Sequence, residues 1–429
     1  MRKLLAGGLL TLLSVISYSQ ALPLREQARI INTLLAERLN TLLPVLMERS
    51  NIDCWVIISR EYNEDPVLRT MLPAEWLNAR RRTIFVFYRD SVTKSLEKLA
   101  ITRYNAGNEI KAVWDMQRFP DQWDALVNLL ISRGPRRIAV DISTDFGHAD
   151  GMDHTDYQEL LRRLPEELRT RVISAQPLAV GWLETRTPQE MEFYPRLVQY
   201  THAIIAEAFS SRAIRIGVTS TGDLEWWLRQ RIRDSGFDTW FHPTVDIQRE
   251  EGRSKDDIIR SGDLLHVDFG ITYLRLNTDV QEHAYVLKPG ETAVPAGLKA
   301  AFDRAGRLQD ILTAAFSEGR TGNQILAAAL ARASLEGIQG AIYTHPIGYH
   351  GHGAGPAIGL WDRQGGVSGS GDFPMHNRTA YSVELNAVSE VPEWKKAVKI
   401  MLEEDGYFDE KGFRYINGRQ REMFLIRGD

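Results

Sequence analysis

Leu264-Leu265-His266-Val267-Asp268-Phe269-Gly270 buries a carboxylate inside an apolar run. A carboxylate taken from water needs a partner or a metal. Eleven residues later Asn277-Thr278-Asp279-Val280 offers a second. A turn over 271–276 would let both segments lie side by side and both carboxylates converge on one cation. Taken alone, the pair also fits an ordinary surface hairpin, because Asp is mostly exposed. The stretch 344–356 holds three of the ten histidines, His345, His350 and His352, among glycines. Glycine lets backbone approach a site closely. Imidazole is the commonest metal ligand and an acid or base near neutral pH, though a turn with incidental histidines gives the same pattern. His350 and His352 are two apart, so an extended segment would turn both to one side. Tyr381-Ser382-Val383-Glu384-Leu385 places a glutamate in a strand-like run, and the alternation of Val398, Ile400 and Leu402 ends in Glu403-Glu404-Asp405. Four carboxylates and an imidazole suit Mn²⁺, Zn²⁺, Co²⁺ or Fe²⁺ rather than Cu(I). That much negative charge in one pocket requires neutralisation, which two divalent cations bridged by water would provide.

The elements around these residues read as two α/β halves. Residues 24–47 carry Ile31, Leu34, Leu35, Leu39, Leu42 and Leu46 at helical spacing. Residues 54–58 and 83–88 are β-branched and aromatic, hence strands; 122–132 reads as helix, 137–140 as strand and 157–164 as helix. This alternation predicts a small α/β domain without chemistry of its own. Thr187-Pro188-Gln189-Glu190 is a capping box with proline at the first helical position, opening a helix to about residue 212. Residues 223–234 form a second helix, stopped by Ser235-Gly236, with Trp226 and Trp227 read as its core face. Strands and glycine-rich loops follow.

The order Asp268, Asp279, His352, Glu384, Glu403 resembles the metallopeptidase family M24, in its Xaa-Pro aminopeptidase, prolidase and creatinase branch. The eleven-residue Asp-to-Asp interval matches, and Gly351-His352-Gly353-Ala354-Gly355 is similar to the family's Gly-His-Gly-x-Gly. Val383-Glu384 and Ile400-Met401-Leu402-Glu403 resemble its two glutamate strands, and Gly181-Trp182-Leu183-Glu184 resembles the start of its catalytic domain. The resemblance implies an α/β N-terminal domain over 22–178 and an α+β pita-bread (creatinase/aminopeptidase-like) catalytic domain over 179–429. It implies two divalent ions, Mn²⁺ first with Zn²⁺ or Co²⁺ as alternatives, and a peptide substrate cleaved near its N terminus by metal-activated water. Asp268 would bind one ion with both oxygens, Asp279 and Glu403 would bridge, His352 and Glu384 would complete the two shells, and Glu384 would take the proton of the water. A homodimer is also implied.

Some positions depart from the family. Its second histidine, seven residues after the first, falls on Gly359 when counted from His352. Its upstream histidine has only His242 as counterpart, 26 residues before Asp268; Leu385 replaces a proline after the first glutamate, and Met401 replaces an arginine. His345 and His350 are the candidate substrate-side substitutes. A metal-free creatinase-type amidinohydrolase and a non-catalytic peptide-binding protein on the same fold stay open as alternatives.

Composition sets the class. The chain has 429 residues, a two-domain length, with apolar and charged fractions of 43% and 25% that exclude wholesale disorder. A net charge of −4 without a basic stripe argues against nucleic acid. The lone Cys54 excludes an intrachain disulfide and any Cys-based metal cluster. Arg2 and Lys3, an apolar run over 4–16 and Ser19-Gln20-Ala21 form the three-part pattern of a signal peptide over 1–21. The mature protein is expected to be exported, periplasmic in a Gram-negative source, with no membrane span.

Overall fold

Residues 54–174 build a six-stranded sheet in the order Lys111–Ala112, Leu96–Ala100, Arg82–Arg89, Cys54–Arg60, Ile138–Val140, Val172–Ser174. These observations come from a computed structural model that describes residues 21–252 and 256–428. The proposed leader therefore lies almost wholly outside the described residues. Cys54–Arg60 and Arg82–Arg89 pair antiparallel at the sheet centre, and their period-2 alternation separates two cores. Trp55, Ile57, Phe85 and Phe87 face one core, shared with Leu39, Leu43 and Trp182. Cys54, Val56, Ile84 and Val86 face the other, closed by Leu126 and Leu160. Cys54 is a fully buried free thiol.

The N-terminal helical segment runs Leu24–Glu37, a π turn Arg38–Leu42, then Leu43–Arg49. It is 26 residues long with a mean hydropathy of 1.2 over its most apolar stretch, enough by length and composition to cross a membrane. Its apolar face is packed into the first core (Leu35, Leu39, Leu43, Leu46, Met47). At the π turn Arg38 is fully buried and reaches the other half of the chain, donating to Glu190 Oε2 at 2.9 Å and to Thr185 O at 2.8 Å. Glu190 also closes the capping box on Thr187 that starts the helix Pro188–Ala208. One carboxylate therefore fixes a helix start and ties down the first domain. The helix Gln176–Glu184, buried from Leu178 to its end, spans the position where the sequence divides the domains.

Beyond residue 188, the helices Pro188–Ala208 and Thr221–Asp234 cover a four-stranded sheet in the order Phe424–Ile426, Val280–Val286, Leu264–Phe269, Thr244–Gln248. The first helix stops four residues short of expectation. Trp226 departs from the core reading: it is 67% exposed and leans on His242, while Trp227 packs against the core.

Two further sheets supply the rest. One orders Gln339–Ile342, Leu385–Val391 and Lys396–Leu402; the other orders His345–Ile347, Thr379–Ser382, Asp405–Asp409 and Gly412–Tyr415. The chain passes between them three times, at 343–344, 383–384 and 403–404. Strands that switch sheets must bend there. Glu384 and Glu403 stand on this seam, with His345 opening the strand beside it. An apolar core under the helices Ala296–Ala314 and Gly322–Leu335 supports the seam from behind.

Candidate metal centre

Asp268 ends its strand one residue before Phe269, and that strand pairs antiparallel with Val280–Val286, so Asp268 sits opposite Gln281. Asp279 precedes the second strand. Gln281 and Glu403 exchange backbone hydrogen bonds across the seam at 3.0 and 3.3 Å. One oxygen from each of Asp268, Asp279 and Glu403 lies within 4.8 Å of the others. Glu384 enters through His345, in a second group of that size with Glu403. His345 Nε2 stands 3.8 Å from Asp279 Oδ2 and 3.8 Å from Glu403 Oε1.

The surroundings hold these side chains firmly. Thr344 Oγ1 donates to Glu384 O at 3.0 Å and accepts Glu384 N–H at 3.0 Å, fixing the strand crossing. Ser382 donates its hydroxyl to Glu403. His345 Nδ1 is 3.0 Å from Pro346 O, which sets Nε2 toward the carboxylates. Gln281, a residue the sequence did not mark, donates Nε2–H to Glu384 Oε1 at 2.6 Å and to Glu403 Oε2 at 2.7 Å. Its own carbonyl oxygen accepts from His266 Nε2 at 2.9 Å. The available signal was alternation: Gln281 is two residues past Asp279 and shares its face.

Burial and crowding set the charge state of these carboxylates. Desolvation, then its carboxylate neighbours, raises Asp279 and Glu384 well above the usual range. Glu403 is pushed up to about 8 by burial first and Asp268 second, and Asp268 to about 6 by burial. Burial, then His352, lowers His345 to about 4, so its ring is neutral and fit to ligate. Asp268 Oδ1, Asp279 Oδ1 and His345 Nε2 are buried without hydrogen-bond partners. Orphaned donor atoms converging from hard and imidazole ligands are the fit expected of a divalent transition-metal site.

The three histidines separate. His345 stands among the carboxylates with its side chain 13% exposed. His352 is exposed; its ring meets that of His345 edge-on at 4.8 Å and that of Trp240 at 5.0 Å, and it too reaches Asp279 within 4.8 Å. His350 lies farther out, its ring 4.3 Å from that of His148 of the first domain. Glycine spacing explains why sequence reading centred on His352. Gly355 follows His352 by three residues, but Gly348 follows His345 by three as well, and His352 itself follows His345 by seven. The loop then doubles back, with Gly353 N–H donating to Pro346 O at 2.8 Å. Gly351 rests on Trp240, where a Cβ would come within 2.2 Å of the indole. His242 stands 4.0 Å from Glu225.

A cleft of about 890 Å³ opens beside His352, between the two domains. Arg69, Trp76 and His148 line it from the first domain, and Trp240, Arg275 and His350 from the second.

Residues 196–407 match the profile of metallopeptidase family M24. The chain belongs to metallopeptidase family M24 through these residues. No curated protein matches the sequence significantly. Among solved structures, the chain is similar to an X-Pro aminopeptidase from Thermotoga maritima MSB8, with a TM-score of 0.60, 17% identity, and coverage of 88% of this chain and 99% of that one. It is similar to an Xaa-Pro dipeptidase from Bacillus anthracis (TM-score 0.55, 15% identity, 94% and 100% covered). It is also similar to a prolidase from Pyrococcus furiosus (TM-score 0.55, 13% identity, 88% and 100% covered). At these identities the likeness carries the fold. That fold is the expected α/β N-terminal domain followed by a pita-bread domain.

Proposed function

We propose that this M24 chain is a metal-dependent exopeptidase acting at peptide N termini, with a preference for Xaa-Pro bonds. The observation that carries this is the convergence of Asp268, Asp279, Glu384 and Glu403 with His345 on the seam, with orphaned ligand atoms aimed inward. So many buried carboxylates, with no arginine or lysine at ion-pair distance among the described residues, weigh against the metal-free creatinase-type reading. The names of the similar solved structures support the Xaa-Pro preference.

In this reading His345, not His352, is the imidazole ligand, because it is the ring that reaches Asp279, Glu384 and Glu403 together. Asp279 and Glu403, with Asp268 and Glu384, would hold the divalent metal beside it, Mn²⁺ by preference. Bound there, the metal supplies a Lewis acid and lowers the pKa of water toward neutrality. The chain does the rest. Glu384 holds the proton taken from the attacking water, with Gln281 fixing its carboxylate through the amide. His352, at the mouth of the cleft, donates to the carbonyl oxygen as charge develops there. Trp240 and Trp76 exclude water around the peptide. His350 lines the cleft and contacts the peptide farther from the scissile bond.

The leader pattern over 1–21 supports export, and the family resemblance supports a homodimer. Purified protein is stripped with EDTA, reloaded with Mn²⁺, Zn²⁺ or Co²⁺, and assayed on Xaa-Pro dipeptides, tripeptides and proline-free controls. Metal-dependent release of the N-terminal residue is expected. Retention of metal with no hydrolysis of any peptide would favour the non-catalytic binding protein.

A further inference from the structure

Behind the centre, the pleat that turns Gln281 and Glu403 inward turns Glu282 and Glu404 to the opposite face. There they meet His202 of the helix Pro188–Ala208. One ligand atom from each of His202, Glu282 and Glu404 lies within 4.8 Å of the other two. His202 Nε2 is 2.9 Å from Glu404 Oε2, and Glu404 Oε1 accepts the Gln420 backbone N–H at 2.7 Å. Glu282 is 5% exposed, and its Oε2 is buried without a hydrogen-bond partner. Among the described residues neither glutamate has an arginine or lysine within ion-pair distance. Two carboxylates removed from water against one imidazole leave charge that the protein itself does not balance.

We propose that His202, Glu282 and Glu404 form a further cation site, holding one divalent ion of the Zn²⁺ or Mn²⁺ class apart from the catalytic centre. The donors are one imidazole nitrogen and two carboxylates, the set such ions accept. His202 Nε2 is the ligating atom. Its Nδ1 lies 3.2 Å from the Asn417 amide, which in the loaded site turns its oxygen to accept the Nδ1 proton and so orients the ring. The ion arrives from that side: the His202 side chain is 20% exposed and Asn417 is exposed, whereas Glu404 is buried. Water completes the coordination there. The ion ties the helix Pro188–Ala208 to the strand that supplies Gln281 and to the seam that supplies Glu403. The site goes beyond the peptidase reading and stands or falls separately from it.

The full chain is stripped with EDTA, saturated with Zn²⁺ or with Mn²⁺, freed of excess by gel filtration, and its metal counted. Glu282→Gln and His202→Gln should each bind one ion per chain fewer than wild type. The same loss should appear when Glu282→Gln is added to Asp279→Asn, a background whose catalytic centre is disabled. Equal counts with and without Glu282→Gln overturn the site and leave two carboxyls sharing a proton. Crystals of wild-type protein soaked in Zn²⁺ give a check that needs no variant. An anomalous peak between Glu282 and Glu404 is expected. Peaks confined to the Asp279–Glu403 centre would overturn the proposal.

Discussion

His345 and His352 meet edge-to-face with ring centroids 4.8 Å apart, the first buried beside Asp279 and Glu403 and the second exposed on the cleft. The pair places one imidazole beside the carboxylates and the other on the cleft. The inner ring holds a lone pair in a pocket of carboxylates. The outer ring lines the cleft.

Asp279 offers a ligand atom within 4.8 Å of those of His345, His352, Asp268 and Glu403. Asp279→Asn keeps its shape but removes the charge that two cations would share. Bound metal should fall, and hydrolysis should fall by more than the ~10–100-fold typical of outer partners. The checks are metal analysis and kcat/KM on an Xaa-Pro peptide; unchanged values in both would remove Asp279 from the centre.

The seam separates Glu403 from Glu404. Glu403→Gln is expected to be inactive, whereas Glu404→Gln should hydrolyse peptides at close to the wild-type rate. Gln281→Ala, which frees two carboxylates from one amide, should lower kcat by ~10–100-fold. Steady-state kinetics on the three variants ranks them, and a Glu404→Gln enzyme as dead as Glu403→Gln would reverse the facing of the strand.

Much of this was legible before the structure. Embedding Asp268 in an apolar strand, the Asp279 interval and the Glu384 and Glu403 strand ends are local features, and period-2 patterning carries them. The choice between His345 and His352, both within reach of Asp279, was not. Gly348 and Gly355 give two equal registers, and which ring enters the centre depends on the chain doubling back so that Gly353 bonds Pro346. Gln281 was missed because an amide between carboxylates has no sequence signature. Arg38 was missed because its partner Glu190 lies 152 residues away.

Stability should depend on pH in the direction set by the buried carboxylates. Glu403 at about 8 and Asp268 at about 6 stand above their ordinary values of 4.5 and 3.8. The fold favours their protonated forms, so this stabilisation is complete below the ordinary values and is lost as pH rises through the folded ones. Metal-free protein should therefore melt lower at about pH 8.5 than at about pH 5, and the gap to metal-loaded protein should widen across that window. Thermal melts with EDTA and with Mn²⁺ measure this; a gap constant with pH would contradict it.

Arg38→Ala removes a fully buried cation from Glu190, leaving Arg186 as a weaker partner at 3.5 Å. Breaking a buried pair destabilises by ~3–5 kcal/mol. Denaturant unfolding should show a loss on that scale, and a loss below about 1 kcal/mol, the surface-pair range, would mean that the bridge does not join the two halves.

The most direct test of the centre is the metal content of wild type, His345→Ala and His352→Ala after identical loading with Mn²⁺ and gel filtration. His352→Ala should retain the wild-type count with weakened turnover, and His345→Ala should lose metal, because it removes a ligand from a small set. Loss of metal in His352→Ala with full retention in His345→Ala would contradict this assignment of the centre.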